Sequence, residues 1–466
     1  MEDFLLIGLL PIAIYGALAV RTFGVLGIAL AMLIVGTVFG HSFFHVSVIT
    51  LDRLLLGVLV GAVAIFRIHG KIEGERWNMI DVLIASWIGW LTLNTFLHDW
   101  KINKYESVTV LLFFYLIPTC CYIIGRYLRP NASQIRWIML SFAALGVYLS
   151  ITAAAERFGL HFIVFPRYIV NAAYAEFLGR GRGPLLNPSG NGILITLGMV
   201  CALLLAKDLQ RYNRLAVAFV LIIFSLGIYS TLTRCVWLGG LAALAIVFWA
   251  YGSPKLKWTG LIYGIVVAVF VVPVAYPYLT KFKRDKNVSV EDMAESAKLR
   301  PMLAIIGWKV AQDHPLTGVG LGHYLEYSMD YSHDREIDMP LQRAAKYVQH
   351  NVFLSMLTEN GAIGLSLFLL LLTKLCLFAR HVWRYPFVMR EGRYLVIIFF
   401  GFLAAYFCNG MFQDVLIIPM INSFLLFLAG LLRSLNHSLG GQSIAVATEL
   451  QKNQRLPSAA VALPAP

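Results

Sequence analysis

Uninterrupted apolar stretches of about 20 residues follow one another along almost the whole chain, each long enough to cross the ~30 Å hydrocarbon layer of a bilayer as a helix. Of 466 residues, 59% are hydrophobic and only 14% charged, whereas soluble domains carry roughly 25% charged residues. In lipid, every backbone polar group must be satisfied internally, which leaves a helix bundle or a closed barrel. Barrel strands read as alternating segments of about ten residues. The runs here are long and continuous, so the fold class is an all-α, polytopic transmembrane helix bundle. The spacing predicts spans near 4–20, 23–39, 48–66, 79–97, 107–125, 135–155, 188–206, 215–232, 235–251, 259–279, 352–378, 394–412 and 415–432, about 13 in all. Glu2 and Asp3 stand where a signal peptide would be basic, and no small-residue cleavage site follows the first run, so that helix is expected to remain in the mature protein.

Lysine and arginine in short loops are retained on the cytoplasmic side. Four clusters fit: Arg67, Lys71 and Arg76; Arg126, Arg129 and Arg136; Lys207, Arg211 and Arg214; Arg380, Arg384, Arg390 and Arg393. Alternation then puts 156–187 and 280–350 outside. The net charge of +13 is a topology signal, and with no folded basic domain in the sequence no nucleic-acid partner is expected. Cys120, Cys121, Cys201, Cys235, Cys376 and Cys408 all fall in or at the ends of spans, so no disulfide framework and no zinc site are expected. The chain divides into N-terminal transmembrane helices (1–155), a membrane domain carrying the long outer loop (156–434) and a polar tail (435–466) with no apolar face, expected to be disordered.

A loop of this length is usually functional or disordered, and this one is patterned. Pro301 is expected in a first helical turn, with Leu299, Met302, Leu303, Ile306 and Val310 on one face lying against the membrane surface. His314-Pro315 ends that helix. The spacing Gly318-Val319-Gly320-Leu321-Gly322 predicts a turn whose backbone comes close to something. A second helical pattern, Leu341, Ala345 and Val348 after Pro340, leads to His350 at the mouth of the next span.

Arg180, Arg182, Arg234 and Arg300 lie at membrane boundaries outside the four clusters, where charge is expensive and tends to mark function. A guanidinium fork suits a diphosphate, because it donates two parallel hydrogen bonds and keeps its charge. Arg180 and Arg182 sit in Gly179-Arg180-Gly181-Arg182-Gly183-Pro184, among flexible backbone. The plainer reading makes those two a solvated turn and lets Arg234 snorkel to the interface. His350 either caps a helix or, neutral near pH 7, takes a proton from a hydroxyl as a general base. Gly361 and Gly364 would let a neighbouring helix approach. Glu359, about 13 Å deeper by helical rise, is too far to orient His350; it pairs with an arginine of another helix or bonds to a helix neighbour. Asp52 with Arg53 reads as a local pair, Asn409, Gln413 and Asp414 as a polar hairpin, and His41 with His45 as an outer turn, since helix ends need polar partners. No Asp-x-Asp pair points to a metal-held diphosphate.

Four segments together, Arg180-x-x-Gly183 with Asn187-Pro188, Thr233-Arg234, Arg300 leading to His314-Pro315-Leu316-x-Gly318-x-Gly320-x-Gly322, and His350-Asn351 with Gly361-x-x-Gly364, resemble the O-antigen ligase and polymerase superfamily of glycosyltransferases. The resemblance implies a GT-C-like fold in the bacterial inner membrane, with the loop in the periplasm. It implies transfer of a glycan from an undecaprenyl-diphosphate-linked donor to a glycan or lipid-linked acceptor hydroxyl, without cofactor or metal. Carried over, Arg180 and Arg234 hold the diphosphate, with Arg182 beside them, Arg300 assists and His350 is the base. Ser189 replaces the more usual Asn after Asn187-Pro188. Val352 stands where the protein-glycosylating branch carries Glu, which counts against protein as acceptor. A polymerase of lipid-linked repeat units shares the donor and base and is the alternative. A polysaccharide transporter is the remote one, disfavoured by the absence of internal repeats.

Overall fold

The computed structural model describes residues 24–40, 45–46, 49–70, 76–99, 107–209, 213–266, 269–270, 273–274, 290–331, 339–345, 347–386 and 388–435. The expected first span at 4–20 and nearly all of the tail lie outside them.

The chain is a helix bundle. Its helices among the described residues are α1 (Val25–Val38), α2 (Leu51–Ile68), α3 (Met79–Leu97), α4 (Ser107–Leu128), α5 (Ala132–Phe158), α6 (Pro188–Lys207), α7 (Asn213–Ser230), α8 (Arg234–Tyr251), α9 (Pro254–Val266), α10 (Val290–Asp313), α11 (Tyr324–Asp330), α12 (Val352–Arg384), α13 (Arg390–Gly410) and α14 (Pro419–Leu435). Among the described residues, seven of these (α3, α4, α5, α6, α8, α12 and α13) are long and apolar enough to cross a membrane, and α1, α7 and α14 are shorter apolar helices. The only sheet among the described residues is one antiparallel pair, His45–Val46 with Ile49–Thr50.

Polar residues set the helix starts. Asn78 and Asp81 form a capping box on α3, and Asn131 and Gln134 another on α5. Asn187 caps α6 with Pro188 in its first turn, and Asn351 caps α12. The centre of the bundle is α6. Its apolar window is 94% buried, with α5, α7, α8 and α13 packed around it.

One end of the bundle is knit by charge. Asp81 meets Arg126 at 3.3 Å and Arg433 at 3.7 Å and accepts from the Tyr122 hydroxyl at 2.6 Å; Arg136 pairs with Glu391 at 2.9 Å and Arg390 with Asp208 at 3.3 Å. The described members of the four basic clusters sit at helix ends on this side. The segments 159–187, 314–331, 339–345 and 347–351 lie at the opposite end, where α6, α8 and α12 begin.

The described part of the 280–350 loop differs from expectation in three places. Pro301 lies inside α10, not in its first turn, because the strong helix formers from Glu291 to Lys298 extend the helix upstream at the cost of one backbone hydrogen bond. The expected helix after Pro340 is a single 3-10 turn, Leu341–Arg343, since the left-handed backbone of His350 (φ 51°) stops a helix from running on to Asn351. The apolar face forms but does not lie on a membrane surface: Met302, Leu303, Ile306 and Val310 are buried against Val319, Tyr324, Leu341 and Ala345 of the loop itself, because the loop offers them an apolar partner.

Candidate functional site

The site is built on the turn from Gly179 to Asn187, and that turn is pinned. Two consecutive amides, of Arg182 and Gly183, donate to the Glu156 carboxylate at 3.3 and 2.9 Å. The Gly181 amide donates to Ser230 O and its carbonyl accepts from Asn191 Nδ2, both at 2.9 Å. Gly183 has φ 57°, and a Cβ there would lie 2.4 Å from Asn191 Oδ1, so only glycine fits. Gly181, where a Cβ would lie 2.6 Å from Ala153 Cβ, and Gly183 are therefore a requirement of close packing, whereas Gly179 has open space around it.

Within this turn the two arginines have opposite fates. Arg182 is fully buried, and its guanidinium donates to the carbonyls of Ile169, Tyr174 and Glu176. Burial lowers its pKa, against the opposing pull of Glu156 and Glu176. Arg180 points the other way. Its Nη2 donates to Thr233 Oγ1 at 2.6 Å and its Nε to Thr231 O at 3.4 Å, with the guanidinium 5.0 Å above the Phe177 ring. Thr233 is the N-cap residue of α8, and its hydroxyl is engaged with Arg180 and Thr231 O, so it does not cap the helix. Arg234 follows as the first helical residue, where the backbone dipole adds partial positive charge. Arg180 and Arg234 are thus brought to one helix mouth.

Arg300, exposed on α10, completes this corner. Its guanidinium lies 5.4 Å from the Phe412 ring, and its charge acts both on Cys235, next to Arg234, and on His350. His350 immediately precedes Asn351, whose Oδ1 accepts from Phe353 N at 2.9 Å and Leu354 N at 3.0 Å and whose Nδ2 donates to Met411 O at 3.1 Å. The cap of α12 is therefore Asn351, and His350 is held beside it in the left-handed region, an uncommon conformation for a residue with a side chain. Burial, then the Arg300 charge, lowers the imidazole pKa below its ordinary 6.5, so the ring is neutral at pH 7.

Just beneath, α12 is broken. Gly361 has φ 66° and ψ −174°, a conformation open only to glycine, and its neighbour is the loop rather than another helix: a Cβ would sit 2.0 Å from Leu316 O. The carbonyls freed by the break all find donors. Thr358 O accepts from Val319 N, Glu359 O from Gly320 N (both 2.9 Å) and Asn94 Nδ2, and Asn360 O from Trp90 Nε1, the last two at 3.0 Å. The freed amides of Ala362 and Ile363 donate to Pro315 O and Leu316 O at 2.8 and 3.4 Å. The glycine-spaced run thus approaches an opened turn of a membrane helix. Glu359 makes neither expected partnership: its carboxylate accepts the backbone amides of Gly322 and Tyr324. Asp414 caps a 3-10 turn through Leu416 N, as a hairpin residue should, and burial raises its pKa to about 6. Among the described residues no three His, Cys, Asp or Glu come together, and all six cysteines are free.

Sequence reading missed Glu156 and Phe412, and it noted Thr233 only as the neighbour of Arg234, without its contact to Arg180. A carboxylate in the last turn of an apolar helix was the available signal for Glu156; nothing local marks Phe412.

The chain is thus a multi-pass membrane protein in which Arg180 and Arg234 meet at the start of α8 and the Arg300 charge acts on both Cys235 and His350. A sequence family described as O-antigen ligase matches residues 218–369, roughly a third of the chain, and that segment is similar to this family. That ties it to cell-surface polysaccharide biosynthesis. Arg234, Arg300, His350 and the helix break lie inside the match, while Arg180, Arg182 and Glu156 precede it. No curated protein matches the chain.

Proposed function

We propose that this protein transfers a glycan from an undecaprenyl-diphosphate carrier to an acceptor hydroxyl on the periplasmic face of the bacterial inner membrane. The observation that carries this reading is the convergence of Arg180, Arg234 and Arg300 on one helix mouth with neutral His350 beside Arg300. Arg180 and Arg234 grip the diphosphate, and Arg300 faces the charge that builds as it leaves. His350 takes the proton of the acceptor hydroxyl, its oxygen attacks the anomeric carbon, and the bond from that carbon to the diphosphate breaks, with the electron pair going to the phosphate oxygen. The guanidinium groups supply the positive charge this leaving group needs. Arg182 acts through the turn, holding Arg180 in place.

The test is His350→Gln, purified in nanodiscs and assayed with lipid-linked donor and acceptor. General-base catalysis typically contributes about 100- to 10,000-fold, so turnover should fall by that much while donor binding persists. In the wild type, activity should hold through neutral pH and fall with acidification as the lowered His350 pKa is crossed, because only the neutral ring accepts a proton. Full specific activity in the Gln variant would remove His350 from the mechanism. Product length separates the two transfers: a polymerase lengthens a lipid-linked chain, whereas a ligase moves it to a second acceptor.

A further inference from the structure

On the far side of the Arg180 turn lies a second cleft of about 430 Å³ that the reaction above leaves unused. Its polar wall comes from Asp52 and Arg53 at the start of α2, from Glu176, and from Asn187. Phe113 and Phe177 supply aromatic faces, and the Arg53 guanidinium lies 3.6 Å from the centroid of the Phe113 ring. Thr50 also lines it. Only 2% of Thr50 is exposed, yet its Oγ1 has no hydrogen-bond partner among the described residues, and it does not cap α2. A buried hydroxyl without a partner costs free energy unless something occupies the space in front of it.

We propose that this cleft is a saccharide-binding subsite. Two carboxylates against one guanidinium disfavour a second diphosphate, because like charges repel at this range. The remaining wall is largely apolar, from Met32, Leu56, Ile117, Leu185, Ile418 and Met420 among others, but a lipid tail filling the cleft would strip water from four polar side chains and give no bonds in return. A sugar ring satisfies both kinds of wall. Its vicinal hydroxyls match the paired oxygens of a carboxylate and the paired donors of a guanidinium, and the Asn187 amide and Thr50 Oγ1 add single bonds. Its C–H faces lie on the aromatic rings. The cleft falls within the ~300–1,000 Å³ range of small-molecule sites.

Its position connects it to the diphosphate seat. Phe177 lines the cleft and also underlies Arg180 at 5.0 Å, and Ile417 to Pro419 belong to the hairpin that brings Phe412 under Arg300. A sugar bound here belongs to the donor's glycan or to the acceptor's. Assigning it to one of those two substrates rests on the transfer reaction proposed above; the recognition of a saccharide does not.

The full-length protein in nanodiscs is titrated, with direct calorimetry or saturation-transfer NMR, against two probes: the oligosaccharide released by mild acid from the cell's own lipid-linked donor, and the delipidated core oligosaccharide of its surface glycolipid. Asp52→Asn and Arg53→Gln should each weaken one of these at least ten-fold, and Thr50→Val should weaken the same one. A short-chain prenyl diphosphate should bind all three variants as it binds the wild type. Loss confined to the first probe assigns the cleft to the donor glycan, and loss confined to the second assigns it to the acceptor. Unchanged affinity for both in variants of wild-type thermal stability overturns the proposal, as does a wild type that binds neither probe, or loss of the prenyl diphosphate along with the sugar. Should the charge variants fail to fold, Thr50→Val carries the test alone. Failure of the transfer reaction reads out separately, as prenyl diphosphate affinity indifferent to Arg180→Lys and Arg234→Lys.

Discussion

Replacing Gly361 with alanine should undock the outer loop from α12 without unfolding the bundle. The backbone at Gly361 lies in a region that costs other residues about 1–3 kcal/mol. The new Cβ would also meet Leu316 O at 2.0 Å and Leu316 C at 2.2 Å, both backbone atoms that yield only if the loop moves. Moving it breaks bonds from Val319 N, Gly320 N, Ala362 N and Ile363 N, each contributing about 0.5–1.5 kcal/mol. Strain and lost bonds together reach about 3 kcal/mol or more, which raises the local opening equilibrium roughly 100-fold. Amide hydrogen exchange measures this directly: Val319, Gly320 and Ala362 should lose about two decades of protection. Gly89→Ala, on α3 where an added Cβ meets nothing within 4 Å, is the matched control and should leave these amides unchanged. Transfer activity should fall with the docking, because α10 and Arg300 lead directly into this loop. Protection within three-fold of wild type in Gly361→Ala would refute the claim that the break and the loop hold each other.

Arg180→Lys and Arg234→Lys each keep the charge and lose the bidentate geometry, so each should lower transfer by about 10- to 100-fold in reconstituted assays, as expected for losing one charge-assisted bond. Near-normal turnover in both would show that neither arginine grips the donor. For topology, single cysteines in a background free of the six native ones should react with an impermeant reagent at position 330 and stay protected at 210; the reverse pattern would invert the bundle.

The spans were legible because crossing a bilayer demands only length and apolarity, both of which survive in a one-dimensional reading. Helices were expected at 79–97 and 188–206, and they run Met79–Leu97 and Pro188–Lys207. The basic clusters were legible for the same reason, being local in sequence. The site was legible in residue type but not in geometry. Arg180 and Arg182 have nearly identical neighbours, and what separates them is distant: carbonyls at 169, 174 and 176 enclose one, while a threonine from another helix receives the other. Pro301 misled because a proline at a helix start and one inside a helix differ only in the residues upstream, which here favour helix. The reach of Gly361 could not be read at all, since its neighbour in space is Leu316, 45 residues earlier in the chain but a single backbone contact away in the fold.

The central position of α6 bears on how the protein is made. The faces of this helix are nearly all covered by protein; Thr196 is satisfied within the helix by Gly192 O and Asn191 Nδ2 by Gly181 O of the preceding turn, so what the helix lacks before its neighbours arrive is packing. Two of those neighbours, α7 and α8, follow at once, but α13 is synthesised almost 200 residues later. Until it arrives, α6 presents an open flank to lipid. The nascent chain therefore passes through a stage in which its most interior helix is exposed, and a protein truncated before α13 would be a target for membrane quality control even though every earlier span had inserted correctly.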